Sequence, residues 1–272
     1  MNTQIETKRR DAILVEDAAQ IRVMGFPVLE ALPSRLVPYE QVDPFILLHE
    51  ARLRLSDLAD VDTKHPHRGF DNIWYVLEGS ASTGHSTGPN GAMERAQLNK
   101  GALLVLRTGR GAWHAEALGA DEVGEGQGDT EFRSVLFWVN LARKDKGAEP
   151  SAQVVQPEQI PVRHEGDATI RVLVGDGSPV QLGTPGLILD IELPTGGEVT
   201  IPVPPEFQGF AYLLEGKGNF GANLLPAGPA QLVLLGHGEA FTVTDAVPGT
   251  RFMLMAAQPY GETALFNGPF VD

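Results

Sequence analysis

The chain of 272 residues contains no cysteine. This absence excludes disulfides, thiolate nucleophiles, and zinc or iron–sulfur sites built on thiolate ligands. Positive charge is also scarce, because 21 Lys and Arg stand against 35 Asp and Glu and give a formal net charge of −14. Since phosphate backbones are bound by basic patches, we predict that so acidic a chain does not bind nucleic acid directly.

Long apolar runs are missing as well. No segment reaches the roughly 18 consecutive apolar residues of a transmembrane helix. Residues 1–20 contain no apolar stretch of the length that a signal peptide needs. We therefore expect no membrane association and a cytoplasmic location.

Glycine and proline are abundant, with 31 and 20 residues, or about 19% of the chain against an average near 12%. Both residues interrupt helices. Short segments rich in Val, Ile, Leu and aromatic residues alternate with turn sequences, a pattern typical of an all-β sandwich or barrel. The predicted strands are 21–29, 45–55, 71–79, 102–108, 133–141, 169–176, 186–193, 198–204, 209–220, 230–236, 239–244 and 251–257.

An internal repeat explains the length of the chain. The string Tyr75-Val-Leu-Glu-Gly79 recurs as Tyr212-Leu-Leu-Glu-Gly216, and a Gly-Phe pair precedes each copy. We predict two domains, residues 1–145 and residues 146–272. The polar, proline-containing stretch 141–161 is the predicted linker between them. We also expect the first ~20 residues to fray and residues 119–132 to form a solvated surface loop.

Two pairs of polar residues are the strongest candidates for a metal site. His65 and His67 are spaced i, i+2, as are His114 and Glu116, and residues spaced in this way lie on one face of a strand. Either pair alone is more often a pair of ordinary polar residues on a strand than a pair of metal ligands. Together, in a chain with only seven His, they predict three imidazole ligands and one carboxylate, which suit a borderline divalent transition metal.

The second repeat provides an internal comparison. We align Gly209 with Gly69 for the first pair and Gly228 with Gly101 for the second. The four candidate ligands His65, His67, His114 and Glu116 are then matched by Pro205, Phe207, Phe241 and Val243. The scaffold therefore does not itself require polar residues at these positions. We predict one metal ion per chain, held by the N-terminal domain, and a C-terminal domain without metal ligands.

Other polar residues are weaker candidates. His49 lies in an apolar run and is interpreted as a core or pocket-wall residue, whereas His85 is expected to be exposed at a hairpin tip. His164 and His237 are interpreted as surface residues. Arg110 either stabilises its turn or orients a neighbour of the ligands. Five aromatic residues are interpreted as part of the hydrophobic core and not as a surface that binds substrate. They are Phe70, Trp74, Trp113, Phe137 and Trp138.

Several motifs resemble the pirin family. These are His65-Pro-His-Arg-Gly-Phe70, the Tyr-x-Leu-Glu-Gly string, Gly109-Arg-Gly followed by His114-x-Glu116, Trp138-Val-Asn-Leu141, and Asn267-Gly-Pro-Phe270. The resemblance runs from about residue 40 to the end. It implies a bicupin, with two tandem cupin (jelly-roll) β-barrels, and one iron bound through His65, His67, His114 and Glu116.

The resemblance also implies two kinds of function. Several pirins are quercetin 2,3-dioxygenases, which open a flavonol with O₂ and release carbon monoxide. In that reading, Fe²⁺ is the cofactor, Glu116 is the catalytic residue that accepts the substrate proton, and a flavonol-like aromatic compound is the substrate. Other pirins are redox-responsive regulators, which bind a transcription factor or a metabolic enzyme. A third interpretation is a cupin whose metal is not redox-active, such as a zinc isomerase or hydrolase. The four ligands also suit Mn, Ni, Cu or Co in place of iron.

This sequence departs from the family pattern around the ligands. The usual Phe-Glu-Thr is Phe70-Asp71-Asn72, the usual His-Ser-Glu is His114-Ala115-Glu116, and His49 stands where Asp is common. The segment that begins at Gly101 also differs. All four ligands survive these changes, so the resemblance predicts metal binding more firmly than it predicts a substrate.

Overall fold

The computed structural model describes residues 8–54, 63–88, 92–116 and 131–272. Within these ranges the regular structure is almost entirely β-strand and includes no α-helix. Short 3₁₀-helices occur at Tyr39–Gln41, Arg143–Asp145 and Pro157–Gln159. None of the helices in the described ranges has the length and apolarity needed to cross a membrane. The all-β prediction is confirmed.

The strands follow one another along the chain at short intervals. In chain order they are β1 Ala12–Asp17, β2 Ala19–Val23, β3 Phe26–Leu32, β4 Phe45–Arg54, β5 His65–His67, β6 Phe70–Glu78, β7 Ser80–Ser86, β8 Glu94–Asn99, β9 Leu103–Arg107, β10 Ala112–Ala115, β11 Glu131–Asn140, β12 Ser151–Val155, β13 Val162–Glu165, β14 Ala168–Val174, β15 Gly186–Leu193, β16 Gly197–Pro202, β17 Gln208–Glu215, β18 Gly218–Phe220, β19 Leu225–Ala227, β20 Gln231–Leu235, β21 Ala240–Ala246, β22 Thr250–Ala257, β23 Phe266–Asn267 and β24 Phe270–Val271.

Contacts divide the chain into two compact units whose segments interleave. The first unit contains Ala19–Pro33, Pro44–Gln159 and Tyr260–Asp272. The second unit contains Ile160–Pro259, Ser34–Asp43 and the segment that ends at Ala18. The N-terminal segment expected to fray thus includes β1, which pairs with β20. The domain boundary between residues 145 and 146 stays a prediction.

Among the described residues, each unit contains a seven-stranded and a four-stranded antiparallel sheet, and the first unit also contains the two-stranded sheet β23-β24. In the first unit the strand orders are β12-β9-β6-β11-β4-β3-β2 and β5-β10-β7-β8. In the second they are β1-β20-β17-β22-β15-β14-β13 and β16-β21-β18-β19. The two sets correspond strand for strand, and the cupin jelly-roll prediction is confirmed for both repeats. Tyr75 and Tyr212 of the repeated string lie in the corresponding strands β6 and β17.

Alternation of side chains along each strand separates the core from the outer face. In the first unit, Trp74 and Val76 of β6, Phe132 of β11 and Leu104 of β9 belong to one buried cluster. The residues between them lie on the opposite face of the sheet, where the buried Arg133 pairs with the buried Glu50 at 2.8 Å. In the second unit a larger apolar cluster, which includes Phe220, Phe241 and Phe252, occupies the interior.

The strand register corrects the alignment of the repeats. Ile73 and Phe210 hold equivalent places, because each lies two residues before the repeated Tyr in its strand. Gly209 therefore matches Asn72 and not Gly69. In the small sheets, His114 lies opposite His65, and Phe241 lies opposite Ile201.

The residues that match His65 and His67 are consequently Ile201 and Val203, in place of Pro205 and Phe207. The ungapped alignment fails because the segment between the small-sheet strand and β17 is longer in the second unit. Ile201, Val203, Phe241 and Val243 are each about 1% exposed. The four matching positions are therefore apolar, as predicted, and belong to the core of the second unit.

Two predicted strands are in fact pairs of strands. The segment 21–29 contains a turn at Met24 and Gly25, which adopt φ of 50° and 90° between β2 and β3. The segment 209–220 is divided between β17 and β18. The predicted loop 119–132 falls, up to residue 130, outside the described residues.

Candidate metal centre

Three histidines meet on one face of the small sheet in the first unit. His65 and His67 lie on β5, and His114 lies on β10 directly opposite His65. Because opposed residues of antiparallel strands share a face, all three side chains point to the same side. Their candidate ligand nitrogens all lie within 4.8 Å of one another. The structure thus brings together the three imidazoles that the sequence singled out.

Glu116 approaches this cluster from the end of β10. Its Oε1 lies 3.6 Å from Nε2 of His65 and 3.9 Å from Nδ1 of His114. Its Oε2 is buried and makes no hydrogen bond with any residue in the described ranges. Glu116 thus lies beside two of the three histidines, and one of its carboxylate oxygens is buried without a hydrogen-bond partner among the described residues.

Hydrogen bonds from the backbone and from Thr83 orient two of the rings. Nδ1–H of His65 donates to the Thr63 carbonyl at 2.6 Å, which leaves the lone pair on Nε2. Thr83 Oγ1 donates to the Ala115 carbonyl at 2.5 Å, so it accepts a hydrogen bond from Nε2–H of His114 at 3.2 Å. The lone pair of His114 is then on Nδ1, the nitrogen nearer to Glu116.

Burial favours the neutral form of two of the three imidazoles. It lowers the pKa of His67 to about 3, with a further contribution from the neighbouring His65. It also lowers the pKa of the fully buried His114 well below its usual value, and the surrounding histidines add to that effect. Burial raises the pKa of Glu116, although His65 opposes the shift. Neutral imidazole is the form that binds metals.

This donor set fits a divalent transition metal. Three imidazole nitrogens and one carboxylate, held on or beside short strands, match the ligand types that such ions prefer. A carboxylate oxygen buried without a hydrogen-bond partner is costly, and a bound cation would satisfy it. We therefore regard the four residues as a candidate site for one divalent ion.

Three further residues at the cluster were missed or misplaced from the sequence. Thr83 orients His114, as described above, and Asn72 Nδ2 lies 3.3 Å from Nδ1 of His114. His85 was predicted to be exposed, and that prediction was wrong. It is only 6% exposed and lies on β7 opposite His114. The i, i+2 spacing of Thr83 and His85 is the signal that would have placed them on one inner face.

An apolar cavity of about 80 Å³ opens beside the cluster. Its walls come from inward-facing residues of the large sheet, among them Phe26, Leu53, Trp74, Phe132 and Leu136. Glu116 and Thr63 line it on the side of the cluster, and His49 and Ser134 are its other polar residues.

The remaining candidates have structural partners or lie on the surface. Arg110 is largely exposed and pairs with Glu149 at 2.8 Å, which agrees with a role in its turn. Asp71 is paired with Arg107. Trp113 is 42% exposed, so its prediction as core was wrong, and Nζ of Lys64 lies 5.1 Å from the centre of its ring. Trp74 lines the cavity, whereas His164 and His237 are exposed.

Comparison with protein-family models gives two matches. The model described as Pirin matches residues 25–139, and the model described as Pirin C-terminal cupin domain matches residues 188–272. A pirin-like protein of Arabidopsis thaliana is 31% identical over 244 residues, which is 86% of this chain and 75% of that protein. Pirin of Homo sapiens is 32% identical over 245 residues, which is 85% of this chain and 77% of that protein.

Solved structures share the fold over nearly the whole chain. A protein of Geobacillus kaustophilus is 26% identical, with a TM-score of 0.79, and 94% of this chain and 99% of that chain are covered. A quercetin 2,3-dioxygenase of Acinetobacter baumannii is 22% identical, with a TM-score of 0.81 and coverage of 96% and 91%. A bacterial pirin of Escherichia coli in complex with nickel(II) is 12% identical, with a TM-score of 0.67 and coverage of 90% and 99%.

Proposed function

The chain belongs to the pirin family, and on that premise we propose that it is a metal-dependent dioxygenase that opens a flavonol or a related enediol with O₂. The observation that carries this proposal is the meeting of three imidazoles and a carboxylate, Glu116, whose side chain also lines an apolar cavity. The quercetin 2,3-dioxygenase of similar fold supports the choice of substrate class.

In this proposal His65, His67, His114 and Glu116 hold one divalent ion per chain. We propose Fe²⁺ as the ion for O₂ chemistry, although Zn²⁺, Mn²⁺, Ni²⁺, Cu²⁺ and Co²⁺ suit the same donors. When bound, the ion supplies a Lewis acid that lowers the pKa of a coordinated hydroxyl and a redox centre for O₂. The second unit has only apolar residues at the matching positions and serves as scaffold.

Glu116 is the proposed proton acceptor. Its Oε2 is free of hydrogen bonds to the described residues, and Glu116 lines both the cluster and the cavity. Because burial raises the pKa of this carboxyl group, it is a better base than an ordinary surface carboxylate. It would take the hydroxyl proton of the substrate on the carboxylate oxygen that does not bind the ion.

The cavity walls serve the same chemistry. Aromatic and aliphatic side chains such as Trp74, Phe132 and Leu136 accept a flat aromatic ring system and displace water from it. Exclusion of water strengthens the electrostatic interactions at the reacting end of the substrate and limits side reactions of reactive intermediates.

The test is O₂ consumption by protein loaded anaerobically with Fe²⁺. We expect that adding quercetin will start O₂ uptake and that carbon monoxide will be released in a 1:1 ratio to the O₂ consumed. Protein that carries one iron per chain but consumes no O₂ with quercetin, with simpler flavonols or with other enediols would contradict the proposal. That result would favour the regulatory alternative. Capture of a protein partner by the oxidised and the reduced forms of the protein would then test that alternative.

A further inference from the structure

Among the described residues, the apolar cavity is lined by one ionisable residue that does not belong to the metal cluster. His49 lies on β4, and its side chain lines the cavity together with Leu53 and Leu136. Leu136 is its direct neighbour on β11. Among so many apolar residues, a buried imidazole needs either a structural partner or a function.

Glu30 holds His49 in place from the neighbouring strand. Glu30 of β3 lies directly opposite His49 in the strand register. Nε2–H of His49 donates to Glu30 Oε2 at 2.9 Å. The side chains are 11% and 21% exposed respectively, so the pair is shielded from bulk water. The carboxylate fixes both the orientation of the ring and the position of its proton.

The other ring nitrogen is left available to a ligand. With the proton on Nε2, the lone pair of the neutral ring is on Nδ1. No residue in the described ranges hydrogen-bonds this nitrogen. Burial lowers the pKa of His49 by more than the hydrogen bond to Glu30 raises it, which agrees with a neutral ring that accepts hydrogen bonds. A buried acceptor thus lies in the cavity in addition to Glu116.

We propose that His49 accepts a hydrogen bond from a phenolic hydroxyl of the substrate and that Glu30 is the positioning residue of this interaction. The pair selects aromatic substrates that carry a hydroxyl group besides the one that reacts. This inference rests on the proposed function, because it takes the cavity as the substrate site. It goes further by naming the groups that discriminate between hydroxylated and unsubstituted ring systems.

Equilibrium binding of two flavonols tests this inference without catalysis. The probes are quercetin, which has hydroxyls on both outer rings, and 3-hydroxyflavone, which has only the hydroxyl beside the carbonyl. The protein is loaded with Zn²⁺, and the dissociation constants are measured by fluorescence titration. Because one hydrogen bond contributes about 1 kcal/mol, we expect the wild type to bind quercetin roughly 5–10-fold more tightly than 3-hydroxyflavone.

The variants separate His49 from Glu30. His49→Phe keeps a ring in the cavity but removes the acceptor, so the preference for quercetin should fall to near 1. If the His49→Phe protein does not fold, His49→Leu, which also lacks an acceptor, should give the same loss. Glu30→Ala should weaken quercetin binding to a similar degree, whereas Glu30→Gln, which can still accept the bond from Nε2–H, should restore most of it. His164→Phe, a change of an exposed histidine in the second unit, is the matched control.

Two outcomes would overturn the inference, and they are distinguishable. If zinc-loaded His49→Phe keeps the wild-type preference for quercetin, His49 does not select hydroxyls, and the proposed function is unaffected. If the zinc-loaded wild type binds neither flavonol, the proposed substrate class fails, and the role of His49 fails with it. A purely structural role for Glu30 would give equal losses in Glu30→Ala and Glu30→Gln.

Discussion

At the scale of single residues, the metal cluster depends on which nitrogen of each imidazole carries the proton. The Thr63 carbonyl fixes this choice for His65, and the Thr83 hydroxyl fixes it for His114. The other nitrogen then carries the lone pair: Nε2 of His65 lies 3.6 Å from Glu116 Oε1, and Nδ1 of His114 lies 3.9 Å from the same oxygen and 3.3 Å from Asn72 Nδ2. Groups that orient metal ligands in this way typically change metal affinity 10–100-fold when they are removed.

Thr83→Val tests this role of the hydroxyl. The substitution keeps the shape of the side chain but removes the acceptor for Nε2–H of His114 and the donor to the Ala115 carbonyl. We expect metal affinity, measured by competition with a chelator, to fall by roughly 10–100-fold. Stability should fall by about 1–3 kcal/mol.

Thr242→Val is the matched control. Thr242 is also a buried threonine, but it lies in the second unit, where its hydroxyl bonds to that of Thr200. A comparable loss of stability with unchanged metal affinity is expected. Equal metal affinities for Thr83→Val and wild type would show that the hydroxyl does not orient His114.

The low pKa of His67 makes the stability of the metal-free protein depend on pH. The unfolded chain takes up a proton on His67 near pH 6.5, whereas the folded protein does so only near pH 3. The free energy of unfolding should therefore fall as the pH drops from about 6.5 toward 3, with His67 contributing up to ~1.4 kcal/mol per pH unit.

Denaturation of the metal-free protein at several pH values measures this contribution. His67→Gln lacks the titrating group, so its stability should decline less steeply below pH 6.5 than that of the wild type. The difference in slope should approach one proton. Parallel curves for the two proteins would mean that His67 titrates normally in the folded state.

At the scale of elements, the turn that follows His67 is hydrogen-bonded to the C-terminal strand pair β23–β24. Arg68 exchanges backbone hydrogen bonds with Pro269 and Val271. Lys146 Nζ donates to the carbonyls of Gly69 and Val271 and to Asn140 Oδ1. The segment after residue 260 thus helps to hold the ligand strand β5, although it lies about 200 residues away in the chain.

Gly69→Ala should disrupt this junction. Gly69 has a φ of +91°, and a Cβ atom there would lie 1.9 Å from the Val271 carbonyl oxygen. The strain in φ and the clash with the backbone should together lower stability by about 3–5 kcal/mol. Urea denaturation of the metal-free protein measures the loss, and metal analysis should show reduced occupancy.

Gly249→Ala separates the two causes. Gly249 has a φ of +80°, but a Cβ atom there would meet nothing within 4 Å. Only the conformational strain applies, at about 1–2 kcal/mol, and metal content should not change. Similar effects of the two substitutions would show that contact with the C-terminal strand is unimportant.

At the scale of the whole molecule, one fold occurs twice and has a polar site in only one copy. The sequence alone predicted the strands, the duplication and the four polar residues, because these follow from local periodicity and from a repeated string. The pairing of β1 with β20 joins residues more than 200 positions apart. Local patterns contain no information on such pairings, so the interleaved units were not foreseen.

The same limit explains the errors near the site. The longer segment before β17 shifted the repeat alignment, since a short string cannot locate an insertion. His85 was placed on the surface because turn-forming residues surround it, whereas cross-strand pairing with β10 buries it. The roles of Thr83 and Glu30 depend on neighbours in other strands. Only the structure supplies these neighbours.

The central claim is that His65, His67, His114 and Glu116 hold one divalent metal per chain. Elemental analysis of the purified, iron-reconstituted protein tests it directly, with His114→Ala and Glu116→Ala as variants and His164→Ala as the control. We predict one metal per chain in the wild type and the control, and far less than one in the two variants. Full retention of metal by both His114→Ala and Glu116→Ala would contradict the account.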